Sequence, residues 1–431
     1  VEIRIIGGGL AGAEAAYQIA FRGRDVLLYE MRPAVTTPAH KTADLAELVC
    51  SNSLKSRETT NAHGLLKAEL GILGSVVTNS AESTAIPGGK ALVVDRVRFG
   101  HLVTSTLLDN RHVRVIREEV SDLFGDGIVI VASGPLTSPS LSERIGQLTG
   151  VANLHFFDAI SPIIEAESID MSHAFFGSRY AAGGSDYLNC PLTREEYERF
   201  HQELITAGRV DLREFESDTS YFEGCLPIEV MAERGAKTLA YGPMKPVGLV
   251  DGSGVRPYAV IQLRREDESG TMFNMVGFQT KLTYPEQERV FRLVPALANA
   301  RFFRHGSIHR NTFINAPSVL RGLQLRTDDR VFFAGQITGV EGYIESTAMG
   351  LLAGISALYY RAGRLFTPPD PCTCIGALYR YISTPRKDFQ PMNVNFGLLE
   401  GYDKRKKEEV AARALETIET WKEKVRTDLS A

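Results

Sequence analysis

The sequence predicts an α/β fold in which a Rossmann-like nucleotide-binding domain is interrupted by an inserted α+β domain and closed by a helical C-terminal segment. Three observations carry this. A glycine-rich turn joins two apolar runs at the N-terminus, a long middle stretch lacks helix–strand alternation, and the buried-strand pattern returns near residue 331. The expected boundaries are residues 1–135 for the first part of the nucleotide domain, 136–324 for the insertion, and 325–431 for the second part with its C-terminal helices.

Ile3–Ile6 is a short apolar run bounded by Gly7, and the Ala-rich segment over residues 11–20 reads as a helix ending near Gly23. Val26–Tyr29 is a second buried strand. Two apolar runs joined by a helix, with no hairpin signal, make a parallel βαβ unit, because parallel strands need a crossover. Further strands are expected at Val113–Ile116 and over residues 128–132, the latter closing on Ser133-Gly134-Pro135. Within residues 136–324, Gly- and Pro-punctuated runs such as 258–264 and 272–279 replace the alternation. Residues 331–334 then resume a buried strand ending on Gly335, and a glycine-punctuated loop leads to an apolar helix over residues 346–361. Beyond Pro368-Pro369, Val410, Ala414, Ile418, Trp421 and Val425 recur at spacings of three and four, the apolar stripe of a charged helix.

With 431 residues, 44% of them hydrophobic, the chain can bury a large core and fill two domains. Its formal charge of -4 gives no global basic field, so any nucleic-acid contact must come from a local patch. Five cysteines, Cys50, Cys190, Cys225, Cys372 and Cys374, are too few and too scattered for a secreted disulfide framework, and their odd number leaves at least one free thiol. A cytoplasmic setting is expected. The opening Val-Glu-Ile-Arg-Ile-Ile has no leader-like pattern, and no run reaches about 18 apolar residues, so neither export nor a membrane span is expected.

Gly7-Gly8-Gly9-Leu10-Ala11-Gly12 matches G-x-G-x-x-G between a strand and a small-residue helix. Gly7 suits the tight turn, Gly9 a backbone approach to a pyrophosphate, and Gly12 close packing of helix on sheet. The helix N-terminus then faces the phosphates. Glu30, 18 residues after Gly12 at the end of the second strand, suits the hydroxyls of an unphosphorylated adenosine ribose, as in NAD or FAD. An isolated match would equally suit a structural turn; here strand, helix and acid coincide.

Val331-Phe332-Phe333-Ala334-Gly335-Gln336 is similar to the closing flavin motif of the glutathione-reductase-like flavoproteins, with Gln336 where many of these carry an aspartate. This favours FAD and makes Gly335 and Gln336 flavin-site candidates. Several longer stretches resemble one family in particular. They are Glu47-Leu48-Val49-Cys50-Ser51-Asn52-Ser53-Leu54, Phe222-Glu223-Gly224-Cys225-Leu226-Pro227, Met244-Lys245-Pro246-Val247-Gly248-Leu249, His309-Arg310-Asn311-Thr312-Phe313-Ile314, Gly335-Gln336-Ile337-Thr338-Gly339-Val340-Glu341-Gly342-Tyr343 and Phe389-Gln390-Pro391-Met392-Asn393. Together they span nearly the whole chain and resemble the folate- and FAD-dependent tRNA (uracil-5-)-methyltransferases, the TrmFO family.

That resemblance implies methylation at C5 of uridine 54 in the tRNA T loop. Methylenetetrahydrofolate would be the carbon donor, reduced FAD the carrier and reductant, and NADPH or NADH the electron source. The implied partners are the T arm of tRNA and folate, with no metal, no membrane and no obligate protein partner. Uracil C5 is a poor nucleophile until something adds at C6, and a cysteine thiolate suits that addition. Cys50 and Cys225 lie in matching motifs and are the catalytic candidates. The resemblance favours Cys225 as nucleophile and Cys50 as an aid to proton transfer or a guard of the flavin, with the reverse assignment open. The active thiol is expected to have a depressed pKa. Cys190 reads as a small buried hydrophobe. Cys372-x-Cys374 has one intervening residue and no second pair, which does not suit zinc.

Arg301-Phe302-Phe303-Arg304-His305 with His309-Arg310-Asn311 interleaves cations and aromatics, which suits RNA, although a solvated face over buried phenylalanines gives the same pattern. The run at 404–407 reads as a solvated helix end or an RNA contact. A target base inside the T loop has to be exposed before reaction, so base flipping is expected. Three rivals remain at this level. The MnmG branch modifies wobble uridines and carries a longer helical C-terminal region; a plain flavin oxidoreductase would act on a small metabolite; and a non-catalytic flavin protein would bind RNA or sense redox state.

Overall fold

A computed structural model describes residues 1–430 except 38, 124, 152–153, 180–183, 211–225, 252 and 388, with the backbone alone at 156, 157 and 310. Ile3–Ile6 pairs in parallel with Val26–Tyr29 on one side and Ile128–Val131 on the other. Val113–Ile116 extends the sheet beyond Val26–Tyr29, and Val331–Phe333 extends it beyond Ile128–Val131. The short antiparallel strands Leu320–Arg321 and Gln324–Leu325 complete seven strands. All four residues of Ile128–Val131 are buried. Because successive side chains point to opposite faces, both faces of the sheet are covered there, which is why this strand reads as an unbroken apolar run. This is the mixed α/β arrangement with a parallel sheet that the N-terminal pattern predicts.

Helices Leu10–Phe21 and Tyr343–Arg361 pack against each other so closely that a Cβ on Gly350 would lie 2.2 Å from the Ala11 carbonyl oxygen. The latter helix starts one turn before the expected 346–361, because Tyr343, Ile344 and Glu345 form its first turn, with the acidic side chain where the helix dipole favours it. Between Val26–Tyr29 and Val113–Ile116, where the sequence reading places no element, lie helices Ala62–Ile72, Val76–Ser83 and Arg96–Leu108 and a small antiparallel sheet of Ser53–Ser56, Ala91–Val94 and Ala85–Ile86. The three helices are capped by Asn61, Ser75 and Asp95, whose side chains accept from backbone amides two or three residues on.

A second, six-stranded antiparallel sheet runs in the order Phe175–Gly177, Tyr187–Leu192, Ala259–Arg265, Met272–Met275, Ile163–Glu165 and Phe302–Arg304. Its own core lies between Ile164 and Ala300 and includes the mutually packed rings of Phe200, Phe278 and Phe291. Helix Pro139–Thr149, by contrast, puts Leu141 and Ile145 into the nucleotide-domain core. An antiparallel ribbon of Leu154–Ile160 and Ser307–Phe313 runs between the two cores. On the C-terminal helix, Lys407–Ser430, the expected stripe of Val410, Ala414, Ile418, Trp421 and Val425 is buried. Among the described residues, no helix is long and apolar enough to cross a membrane.

Candidate active site

The glycine-rich turn opens onto a cleft of about 990 Å³, lined by Gly7, Gly9, Leu10, Ala11, Glu30 and Gln336 among others. Gly8 and Gly335 do not line it but pack against residues that do, Gly8 against Glu30 and Gly335 against Ala11. A Cβ on Gly12 would lie 1.8 Å from the Gly7 carbonyl oxygen, so the helix approaches the strand at a distance only glycine allows. Gly9 is the opposite case: a Cβ there would meet no protein atom within 4 Å and would project into the cleft. Gly9 is also the N-cap of Leu10–Phe21, and no side chain caps the helix. Uncapped amides at a helix end, beside space kept free of side chains, suit the pyrophosphate of a dinucleotide such as FAD.

Glu30, 5% exposed, is held on both carboxylate oxygens. The Gly8 amide donates to Oε2 at 2.9 Å, and the Arg32 amide and Nε donate to Oε1 at 3.0 and 2.8 Å. Burial opposes its charge, but the Arg32 hydrogen bonds and charge, with the Gly8 amide, outweigh it, and Glu30 lies below the usual carboxylate range. Glu30 therefore stands charged and fixed in the cleft wall.

Val49, Pro135, Leu136, Gln336 and Tyr343 belong to the cleft and also to a second cavity of about 1420 Å³. Cys50, Asp158, Arg264, Asn274, Glu341 and Asn393 line this second space. The two spaces therefore adjoin, with Glu30 and Gly9 lining the first and Cys50 the second.

The Cys50 loop is held from two sides. The Tyr343 hydroxyl accepts the amides of Cys50 and Ser51 at 2.9 and 3.1 Å. Arg96 and Arg304 each donate to the Cys50 carbonyl at 3.2 Å; Arg96 also reaches the Leu48 carbonyl, and Arg304 the Val49 carbonyl at 3.1 Å. Arg264 donates to Ser51 Oγ at 2.7 Å and to Asn52 Oδ1 at 2.9 Å. Burial, with Asp158 and Glu341 nearby, nevertheless pushes the Cys50 thiol up to about 12, against the pull of Arg304 and Arg96. The depressed pKa expected of the reactive thiol is therefore not found at Cys50, because desolvation and two carboxyls outweigh the arginines. Cys225 lies outside the described residues.

The remaining cysteines sort by burial. Cys190 is fully buried in the second core, and Cys374 is fully buried at the start of helix Cys374–Ser383. The interleaved cation–aromatic segment divides in a way its composition conceals. Arg301 pairs with Glu165, Arg304 turns inward to the Cys50 loop, and His305 stacks between Tyr284 and Phe302, while Phe303 stays 61% exposed. Arg304 is thus a structural support of the site rather than a phosphate contact. In the basic run before the C-terminal helix, Arg405 pairs with Asp403 and Lys406 with Glu409. Arg96 and Arg264 escape sequence reading altogether. The one available signal is period two in Ala259–Arg265, where Ala259, Ile261 and Leu263 enter the second core and Gln262 and Arg264 point the other way.

A family model described as glucose inhibited division protein A matches residues 2–364. The methylenetetrahydrofolate-tRNA-(uracil-5-)-methyltransferase TrmFO of Syntrophus aciditrophicus is 54% identical over 428 residues, covering 97% of each chain. The TrmFO proteins of Aquifex aeolicus and Geobacter sulfurreducens are each 53% identical, covering 97% of this chain and 96% and 98% of theirs. Among solved structures, Aquifex aeolicus GidA superposes with a TM-score of 0.72 at 16% identity, covering 99% of this chain and 73% of that one. That likeness concerns the fold.

Proposed function

The chain belongs to the TrmFO family of methylenetetrahydrofolate-tRNA-(uracil-5-)-methyltransferases, within the wider group of glucose inhibited division protein A, and we propose on that footing that it methylates C5 of uridine 54 in the tRNA T loop. The observation that carries the reading is that the dinucleotide cleft and the Cys50 cavity adjoin, sharing Val49, Gln336 and Tyr343 as lining residues. The nucleotide domain is of the glutathione-reductase type, interrupted by the antiparallel unit.

FAD fits the cleft. The Leu10 and Ala11 amides would meet its pyrophosphate, Glu30 its adenosine end, and Gln336 and Tyr343 its ring. Bound there, FAD supplies the electrons and carries the one-carbon unit from methylenetetrahydrofolate, with NADPH or NADH as the outside reductant. Cys225 is the nucleophile that adds to C6 of uracil, since Cys50 is kept protonated and suits proton donation or shielding of the flavin ring. The tRNA approaches where Tyr284 and Phe303 stand exposed around a hollow that meets the Cys50 cavity at Ala39, Ile160 and His309. The expected setting is the cytoplasm.

The test is incubation of the purified protein with a tRNA transcript, methylenetetrahydrofolate, FAD and NADPH or NADH, with 5-methyluridine mapped by mass spectrometry. Formation at position 54, lost in Cys225→Ala, is expected. Full activity in both Cys50→Ala and Cys225→Ala would overturn the thiol assignment.

A further inference from the structure

When a methyl group replaces hydrogen at C5, that hydrogen leaves as a proton and some group receives it. The reaction cavity offers few acceptors. Cys50 already holds its proton at neutral pH. His309 is brought down to about 4 by burial and by the charges of Arg304 and Lys41, which makes it a weak acceptor. Asp158 has its Oδ1 sealed from solvent, and Glu345, which accepts the Val394 amide on Oε1 at 3.1 Å, lies below the usual carboxylate range because its burial is outweighed by His63 and Lys55.

Glu341 is placed differently. It lines the cavity, 7% exposed, and Gln336 Nε2 donates to its Oε2, the one hydrogen bond to this carboxyl among the described residues. Oε1 is left for a ligand. The backbone there is fixed, since the Glu341 amide donates to the Met392 carbonyl at 2.9 Å and Asn393 Nδ2 donates to the Glu341 carbonyl. Burial first, then Asp158 and Glu345, hold its carboxyl well above the usual range, against Lys55 and Gln336. That raises its affinity for a proton toward what a base needs near neutrality.

We propose that Glu341 is the general base that takes the C5 proton from the uracil–cysteine adduct, an inference that rests on the methyltransferase reading above. The C5–H bond breaks, the proton passes to Oε1 of the glutamate, and the electron pair stays on the pyrimidine ring as an enolate. Nothing is oxidised or reduced in this step, and the carboxyl returns its proton to solvent after product leaves.

The experiment compares the FAD-loaded wild type with Glu341→Gln and Glu341→Asp on tRNA tritiated at C5 of its uridines. A parallel arm uses tRNA containing 5-fluorouridine, which has no C5 proton to lose and so traps the cysteine adduct. Glu341→Gln is expected to trap adduct like the wild type while releasing tritium at least ~100-fold more slowly, with Glu341→Asp recovering part of the rate. Tritium release within threefold of wild type in Glu341→Gln would overturn the assignment. So would loss of trapping in both variants, which marks a structural role. A wild type that forms no 5-methyluridine would instead overturn the methyltransferase reading itself.

Discussion

Ionisation of Cys50 is the property on which the division of labour between the two candidate thiols turns. Burial, Asp158 and Glu341 move this thiol from 9.0 to about 12, with Arg304 and Arg96 opposing. At any pH below 9 the thiolate fraction is then about 1000-fold smaller than for an unperturbed cysteine. The assay is alkylation by iodoacetamide in a variant with serine at positions 190, 225, 372 and 374, followed by intact mass from pH 7 to 10. The rate should climb tenfold per pH unit across the whole range without a plateau, and should lie about 1000-fold below that of the denatured chain at pH 7, narrowing to about 100-fold at pH 10 as the denatured thiol saturates. Steric shielding alone would also slow the reaction, but it would leave a plateau at the thiol's ordinary pKa. The neighbours give signed controls. Asp158→Asn and Glu341→Gln should each lower the thiol pKa, and Arg304→Gln should raise it. A plateau near pH 7, or no response to removing either carboxyl, would refute the electrostatic argument and return Cys50 to consideration as the nucleophile.

Gly9→Ala should leave the unfolding free energy of the apoprotein within about 0.5 kcal/mol of wild type, since the new Cβ touches nothing, yet weaken FAD binding tenfold or more in a fluorescence titration. Gly12→Ala should instead cost about 1–3 kcal/mol in the same denaturation experiment, because its Cβ collides with the Gly7 carbonyl. Arg264→Ala removes two charge-assisted hydrogen bonds from the Cys50 loop, so kcat should fall at least ~10-fold while flavin content, read by absorbance, stays unchanged. Buried Glu69, which accepts the amides of Cys374 and Ile375, is raised from 4.5 to about 8, mainly by desolvation. The folded state thus keeps a proton that the unfolded chain releases, so its stabilising effect is complete below pH 4.5 and is lost as pH rises through 8, by about 5 kcal/mol at most. Urea melts of the wild type at pH 5 and 8, compared with Glu69→Gln, should show the decline shrinking in the variant.

The nucleotide sheet was readable because its central strands are buried on both faces and therefore appear as unbroken apolar runs such as Ile128–Val131. The helices at Ala62–Ile72, Val76–Ser83 and Arg96–Leu108 were not, although Ala62, Leu66 and Leu70, and Phe99, Val103 and Leu107, recur four apart and are buried; only Val76–Ser83 is short and without a stripe. Their caps, Asn61, Ser75 and Asp95, were a further signal. Within the site, Gly9, Glu30, Cys50 and Gln336 stand in motifs whose chemistry is local. Arg96, Arg264 and Arg304 act on a loop far away in sequence, and nothing in their own neighbourhoods points to it. Arg304 shows how composition misleads. Phe302–Arg304 is a strand, so alternation turns Phe302 and Arg304 to one side and Phe303 to the other, and a segment resembling an RNA-binding patch contributes one exposed ring.

The loop carrying Cys50 belongs by chain to the nucleotide domain, yet two of the three arginines that hold it, Arg264 and Arg304, come from strands of the antiparallel sheet. Tyr343, at the first turn of the helix that packs on the dinucleotide fold, holds the same loop by its amides. The thiol's position relative to Gln336 is therefore set by elements of both sheets together. Arg96 ties them again, pairing with the buried Glu266 at 2.8 Å while its other nitrogens hold the Leu48 and Cys50 carbonyls. Breaking a buried pair by removing one partner costs about 3–5 kcal/mol, because it leaves the other charge uncompensated. A slackened Arg96–Glu266 link would let the antiparallel sheet draw the Cys50 loop away from the flavin ring without touching Gly9 or Glu30. A defect at that pair should consequently appear in the chemical step while the cofactor stays bound.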